Sequence, residues 1–238
     1  MEAIALRRLK PDERTIVMNR SVRFACAFLG AGLLATGATT VVHAHFKLVE
    51  PASWLIEGDR GDPQKLAPCG SPLTAPQGQP AVPVSNVVGK AVGGSKLHLK
   101  VQETIYHPGH YRVALSVNSR DELPPDPMTF ERTTERGPMS VWAVIQSPPQ
   151  IPVIADGLFQ HYVRPAAPAG GGAAPPLVWE GDIQLPNITC SKCTLQVIQF
   201  MAEHPYNQPG GYSYHHCADL AITADPSKPI DKGWPAAK

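Results

Sequence analysis

The chain has 238 residues, with 21 basic and 20 acidic side chains and a net charge of +1. A balance so close to zero excludes a basic footprint for nucleic acid and polybasic attraction to an anionic membrane, so neither is expected as a partner. Proline is abundant at 26 residues and glycine contributes 20. This composition is typical of short strands joined by many turns and stays below the level that marks disorder.

Residues 1–44 are predicted to be a signal peptide. Arg20 and Arg23 supply positive charge before the apolar run FACAFLGAGLLATGA, which has the length of a signal-peptide core. The run is too short and too rich in small residues for a membrane span. It is followed by VHA ending at Ala44, where small residues suit signal peptidase. Cleavage there would make His45 the first residue of a secreted or periplasmic protein.

The predicted mature chain, residues 45–238, is long enough for one domain with its own core, and we expect a monomer. The charged residues 1–17 do not fit a compact signal, whereas Met18 opens an ordinary one. We therefore expect translation to start at Met18.

Cysteine usage predicts two disulfides in the exported chain. Cys26 belongs to the predicted signal, and an even number of cysteines remains. Each bridge contributes roughly 2–4 kcal/mol, and the sequence does not choose among the three pairings. A redox or zinc function for CSKC is disfavoured, because neither a second CxxC nor a helical context accompanies it. The four residues are Cys69, Cys190, Cys193 and Cys217.

The first predicted strand, HFKLVE, starts at His45, and a turn-rich loop pinned by Cys69 follows over residues 57–90. Next, SKLHLKVQETIYHPGHYRVALSVN alternates apolar and polar residues on either side of HPGH. Proline fixes φ and glycine accepts a positive φ, so HPGH predicts a turn and the whole stretch a hairpin. The hairpin would place His107 and His110 together at its tip.

The rest of the chain is predicted as further short strands. Residues 121–137 are loop-like, and a Gly/Ala/Pro insert precedes a strand near Trp179. Seven or so strands without helical periodicity predict an all-β fold, an immunoglobulin/fibronectin-like β-sandwich with long loops. The other predicted extended segments are VWAVIQ, PPQIPVIADG, CTLQVIQFMA and GYSYHHCADLAITA.

Histidine placement points to a metal. At a free terminus His45 would offer an α-amine, whose ordinary pKa is about 8, and an imidazole that chelates the same ion. A second imidazole would complete a planar three-nitrogen set, which favours Cu(II). His98 lies in an alternating strand and is interpreted as a surface or packing residue, whereas His161 and His204 follow no metal-like spacing and are interpreted as loop residues. The competing interpretation is that His45 follows the cleavage site by chance.

Three motifs, HAHFKLVEPASW, ETIYHPGHYRVAL and YSYHHCADL, together resemble the lytic polysaccharide monooxygenases and their uncharacterised bacterial relatives. The resemblance implies one copper ion in a histidine brace on an immunoglobulin-like sandwich. His45 would be the first brace residue, and His107 or His110 the second, with His107 favoured because it ends the incoming strand.

The same resemblance implies roles for the last two strands. Tyr214 precedes Asp219 by five residues, the spacing of the aromatic residue on the axial side of the copper. His216 shares a strand face with Tyr214 and is a further candidate ligand, unless His215 and His216 are ordinary strand residues. Gln199 would be a polar residue behind the site.

In activity, the resemblance implies a copper-dependent monooxygenase or peroxygenase that takes electrons from an external donor and oxidises C1 or C4 of chitin, cellulose or another glucan. Tyr106, Tyr111 and Tyr206 are candidates either for surface stacking on such a polymer or for burial in the core. A non-catalytic copper carrier is the alternative, and a metal-free structural domain the third possibility. No G-x-S-x-G elbow and no phosphate-binding glycine loop supports a different chemistry.

Overall fold

The computed structural model describes residues 45–164 and 176–238. The predicted signal peptide lies outside the described residues, as does most of the Gly/Ala/Pro insert, at 165–175. In chain order the described strands are β1 (His45–Glu50), β2 (Val88–Val92), β3 (Lys96–Ile105), β4 (Gly109–Ser116), β5 (Thr129–Thr134), β6 (Gly137–Ala143), β7 (Val153–His161), β8 (Leu177–Gln184), β9 (Cys190–Met201) and β10 (Ser213–Thr223).

The strands form two main sheets and a small ribbon. One sheet has the order β1-β3-β8 and the other β2-β10-β9-β4-β7, while β5 and β6 pair only with each other among the described strands. Strand β2 runs parallel to β10, and the other described strand pairings are antiparallel. The fold is therefore an all-β sandwich, which confirms the predicted fold class.

Alternating apolar residues build the core between the two sheets. On β3, Leu99 and Val101 are fully buried, and they pack in one cluster with Phe46 of β1 and with Tyr111 and Leu195 of the facing sheet. Full burial of each such side chain stabilises the fold by about 1.5–3 kcal/mol. Period-two alternation thus sets which face of each strand turns inward.

The predicted β3–β4 hairpin is wrong. Strand β3 pairs with β1 and β8, whereas β4 pairs with β9 and β7, so HPGH crosses from one sheet to the other. The crossing brings two backbones into close approach: a Cβ at Gly109 would lie 1.9 Å from the carbonyl oxygen of Phe200. Glycine is therefore required by space at this position.

The segment predicted as a loop over residues 121–137 also differs. It contains part of a 3₁₀ turn, Arg120–Glu122, and the whole of β5. Most β5 side chains are exposed, so the strand lacks the alternation that marks a half-buried strand. His161, interpreted as a loop residue, is the last residue of β7. With ten described strands, the count exceeds the predicted seven.

The long connection between β1 and β2 is tied down as predicted. The Cys69–Cys217 disulfide joins it to β10 with a Cα–Cα distance of 5.1 Å. The side-chain oxygen of Gln64 accepts a hydrogen bond from the Phe46 amide (3.0 Å), and its carbonyl accepts one from the His215 amide (2.7 Å). The connection therefore straps the first residues of β1 to β10.

The second disulfide joins Cys190 and Cys193 at the start of β9, with Cα atoms 5.7 Å apart. Both predicted disulfides are therefore present. Within the described part of the chain, no helix is long and apolar enough to span a membrane.

Candidate functional site

His45 begins β1 opposite Ile105, the last residue of β3. Its side chain is buried, with Nε2 3.2 Å from Oδ2 of Asp62 on the long connection. When this carboxylate accepts a hydrogen bond from Nε2, the neutral ring carries its lone pair on Nδ1, the nitrogen nearer the main chain. That nitrogen is the one able to form a chelate with the α-amine of the same residue.

Tyr214 packs against His45. The two ring centroids are 5.6 Å apart at an interplanar angle of 63°, an edge-to-face contact. Burial raises the pKa of Tyr214 to about 12; the nearby Asn207 side chain opposes this rise, and the Asp62 carboxylate adds to it. The phenol is therefore neutral over the physiological pH range.

His107 lies two residues beyond Ile105 and is also buried. Its ring centroid is 4.6 Å from that of His204. Nδ1 of His204 lies 2.5 Å from the carbonyl oxygen of Pro205 and donates to it, so the lone pair of the neutral His204 ring is on Nε2. The imidazoles of His107 and His204, which come from segments distant in the sequence, thus lie against each other. His107 is two residues beyond Ile105, the cross-strand partner of His45.

The β5–β6 ribbon fixes the loop that carries His204. The Ser140 amide donates to the His204 carbonyl (3.0 Å), and the Ser140 hydroxyl donates to the Met201 carbonyl (2.7 Å). Sequence spacing gave no signal for His204, because its position beside His107 depends on this ribbon. The loop interpretation was correct for its backbone but missed its neighbour.

His110 lies in a different environment from His107. It belongs to β4, and its ring is 5.2 Å from that of Phe200, with Nδ1 3.2 Å from the hydroxyl of Tyr162. Burial lowers the pKa of His110, while Asp156 opposes the shift. Since the neighbouring Tyr111 packs into the core, His110 faces the opposite side of the sheet.

His216 connects β10 to β1. Its Nε2 donates to the Phe46 carbonyl (2.9 Å), and its Nδ1 lies 3.0 Å from Oε1 of Glu57. Burial lowers the pKa of His216 to about 4 and raises the pKa of Glu57 to about 7. Below about pH 7 a protonated Glu57 therefore lies beside a neutral imidazole, and protein oxygens lie within 3.0 Å of both ring nitrogens of His216.

The raised pKa of Glu57 predicts that Glu57→Gln increases the free energy of unfolding by an amount that depends on pH. Between about pH 4.5 and 7 the unfolded chain binds fewer protons at Glu57 than the folded chain, so stability falls as pH rises. Glutamine keeps an N–H donor and does not titrate. We expect Glu57→Gln to match the parent near pH 4.5 and to exceed it above pH 7 by up to about 3 kcal/mol, measured by urea unfolding.

The control for this experiment is Glu180→Gln on β8, where Lys100 lowers the pKa of an exposed carboxylate. Because the lowered pKa stabilises the parent above pH 4.5, Glu180→Gln should show no gain in stability over the parent between pH 5 and 8. His216 titrates in both the parent and Glu57→Gln and cancels in their comparison. A Glu57→Gln difference that stays constant or shrinks between pH 5 and 8 would contradict the buried neutral pair.

Gln199 belongs to a buried polar network one strand away from Tyr214, its cross-strand partner. Its Nε2 donates to Oε1 of Glu103 (2.6 Å), and the Tyr111 hydroxyl donates to the same oxygen (3.0 Å). Nε2 of His161 lies 2.7 Å from that oxygen as well. Three side chains therefore converge on one carboxylate that is only 1% exposed.

The surroundings of His161 raise its pKa. Burial lowers the pKa, but Glu103 and the carbonyls of Phe159 and His107 more than offset this effect. The His161 ring also stacks on Trp179, with centroids 4.8 Å apart. Contacts with Glu103 and Trp179 thus fix the His161 ring at the end of β7.

Other residues singled out in the sequence lie on the surface or in the core. His98 is exposed and pairs with Asp182 (Nδ1–Oδ1, 3.1 Å), so of the two interpretations, surface or packing, it is a surface residue. Of the three tyrosines for which stacking and burial were both open, Tyr111 is fully buried, whereas Tyr206 is exposed. Tyr106 is partly buried beside His161.

His215 lies on the opposite face of β10 from Tyr214 and His216, as alternation predicted. Its Nε2 is 2.6 Å from Oδ1 of Asp126. Over the described ranges, 45–164 and 176–238, no group of three or more His, Cys, Asp or Glu side chains is arranged to hold a metal ion.

No protein-family model matches this sequence, and no curated protein is significantly similar to it. Among solved structures, the chain is similar to a lytic polysaccharide monooxygenase AA15 from Thermobia domestica in the Cu(I) state. The two share 15% identity with a TM-score of 0.43 over 75% of this chain and 99% of the other. A score of this size does not assign a function, which has to come from the residues themselves.

Proposed function

We propose that the processed protein binds one copper ion through the α-amine and Nδ1 of His45 and the imidazole of His107. The observation that carries the proposal is the position of Asp62, whose Oδ2 lies 3.2 Å from Nε2 of His45 and would hold that side of the ring, while Nδ1 is the ring nitrogen nearer the amine. The α-amine would be the third nitrogen donor of the set. It becomes available only when the peptide bond between Ala44 and His45 is cut.

The donor set fits copper. Two imidazole nitrogens and an amine favour Cu(II) over other divalent first-row ions. Asp62 would orient the first ring, while the Glu103–His161 pair would hold the His107 backbone in place. Tyr214, neutral and buried, would cover one side of the site.

The activity we propose is oxidative cleavage of a polysaccharide by an exported enzyme with an external electron donor. A bound copper ion would supply the one-electron redox chemistry. The protein would supply a fixed set of nitrogens and a surface for the polymer. On the ribbon, Phe130 and Trp142 stack on each other with centroids 3.9 Å apart, and both remain largely exposed. Such aromatic side chains offer apolar area for sugar rings at low entropic cost.

A copper carrier without turnover is the second candidate. The observation that favours it is His204, whose ring lies against His107. A further imidazole nitrogen would close a position that an oxygen-using enzyme needs open. Copper held by three imidazoles and the amine would bind tightly and react slowly.

The experiment that tests the proposal is electron paramagnetic resonance of protein beginning at His45 with one equivalent of Cu(II). We expect a nitrogen-rich, near-axial signal. Incubation with a reductant and chitin, cellulose or other glucans should then release sugars oxidised at C1 or C4. A copper signal without products from any polymer would favour the carrier, and absence of tight copper binding would exclude both.

His107→Ala and His110→Ala distinguish the second ligand. The two histidines flank one short connection, but His110 contacts Tyr162, whereas His107 follows Ile105, the cross-strand partner of His45, by two residues. We expect His107→Ala to weaken Cu(II) binding at least about a hundredfold, because a lost ligand exceeds the 10- to 100-fold cost of a lost outer hydrogen bond. His110→Ala should stay within a few-fold of the parent in competitive chelator titrations. The reverse order would assign the site to His110.

A further inference from the structure

A second cleft lies at the other end of the five-stranded sheet, where β9 begins. It has a volume of about 460 Å³, and Asp219 of β10 is in its wall. Asp219 lies five residues beyond Tyr214 on the same strand, which places it roughly 17 Å along β10 from the copper site. The cleft is therefore separate from the site at His45.

The charges in the cleft leave one cation uncompensated. Arg120 pairs with Asp219 (Nη2–Oδ1, 2.5 Å) and its guanidinium lies 4.1 Å over the Trp54 ring, so this arginine is held in place and its charge is offset. Lys192 lies between the two cysteines of the short disulfide, and its side chain is exposed. It forms no ion pair with any residue of the described ranges. The cleft therefore carries a net charge of about +1.

The remaining lining of the cleft suits a small polyhydroxy compound. The hydroxyls of Ser191 and Thr194 can donate or accept hydrogen bonds, and the Asp219 carboxylate can accept from a ligand hydroxyl. Leu73 and Val88 add an apolar wall. Ligand sites of this kind combine apolar contact with a few placed polar groups in about 300–1,000 Å³.

We propose that this cleft binds a sugar acid, a single hexuronate unit free or within an acidic polysaccharide. Its carboxylate pairs with Lys192, its hydroxyls bond to Asp219, Ser191 and Thr194, and one face of its ring contacts Leu73 and Val88. Charge complementarity selects this class, because one negative charge on the ligand balances the one uncompensated cation. Binding here does not depend on copper or on cleavage before His45.

The test is a titration of metal-free, isotope-labelled protein with D-glucuronate, followed by amide resonances in nuclear magnetic resonance. We expect saturable shifts in the millimolar range that are centred on residues 191–194 and Asp219. D-glucose and acetate serve as matched probes, the first lacking the charge and the second lacking the ring. Saturation by glucose alone, equal saturation by acetate, or no shifts with glucuronate would each overturn the proposal.

Lys192→Gln tests the charge directly. The side chain is exposed, so the variant should fold as the parent does, which the unshifted part of the spectrum verifies. We expect glucuronate to bind roughly tenfold more weakly, as for the loss of one charge-assisted hydrogen bond. Lys96→Gln, an exposed lysine at the start of β3, should bind as the parent does. Equal binding of glucuronate by Lys192→Gln and the parent would show that the ligand carboxylate does not pair with Lys192.

Discussion

Protein that keeps Ala44 before His45 will bind Cu(II) at least about a hundredfold more weakly than protein that begins at His45. Retaining the alanine converts the α-amine of His45 into a peptide nitrogen, which is not a basic donor at neutral pH. The chelate then loses one of its three nitrogens. Removal of a hydrogen bond to a metal ligand lowers metal affinity by about 10- to 100-fold. Loss of the ligand itself should lower the affinity by at least the upper end of that range.

The measurement is competition with a chelator of known copper affinity, with the two forms prepared from one precursor by different cleavage. His45→Ala at the free terminus keeps the amine and removes the ring, and it should also weaken binding strongly. His98→Ala, on the exposed face of β3, is the matched histidine control and should bind as the parent does. Equal affinity of the Ala44 form and the processed form would show that the terminal histidine is incidental.

The elements of the site that follow from local pattern could be predicted from the sequence. A cleavage motif predicts His45 as a first residue, and two-residue alternation placed Tyr214 and His216 on one face of β10, with His215 on the other. Both inferences depend only on neighbours in the chain. The structure adds that the buried His216 ring contacts the Phe46 carbonyl of β1 and the Glu57 carboxyl. His216 therefore joins β10 to β1.

Sheet membership could not be predicted in the same way. Alternation in β3 and β4 identifies their inner faces, but it does not say whether the two strands pair with each other or with different neighbours. The separation of His107 from His110 follows from that choice. Gly109 provided a signal for a turn, and its actual role is to admit the Phe200 backbone.

Long-range polar partners were equally hidden. Glu103 occupies an inward position in β3, where its charge is tolerated because His161, Tyr111 and Gln199 converge on it. A core predicted from sequence alone would not include this carboxylate, because charged groups are seldom buried without partners and those partners are distant in the chain. The position of His204 likewise depends on a ribbon that carries no apolar alternation.

Loss of the Cys69–Cys217 disulfide will destabilise the fold by about 5 kcal/mol. The bridge closes a loop with a sequence separation of 148 residues, and the chain-entropy relation gives that value for a loop of this length. The Cys190–Cys193 bridge, with a separation of 3, gives about 2 kcal/mol. Domains of this size have a free energy of unfolding of only about 5–15 kcal/mol. Loss of the Cys69–Cys217 bridge would therefore remove a large part of the total stability.

The two double variants, Cys69→Ala/Cys217→Ala and Cys190→Ala/Cys193→Ala, are compared by urea unfolding. The first should unfold at a much lower urea concentration, and equal losses would contradict the loop-length argument. Its effect should also reach the copper site, because the same connection carries Asp62, which contacts His45, and Gln64, which holds the Phe46 amide. We therefore expect weaker copper binding in the folded fraction of the first variant and unchanged binding in the second. Such a result would show that this long connection, fastened to β10, keeps the imidazole of the first residue oriented for metal.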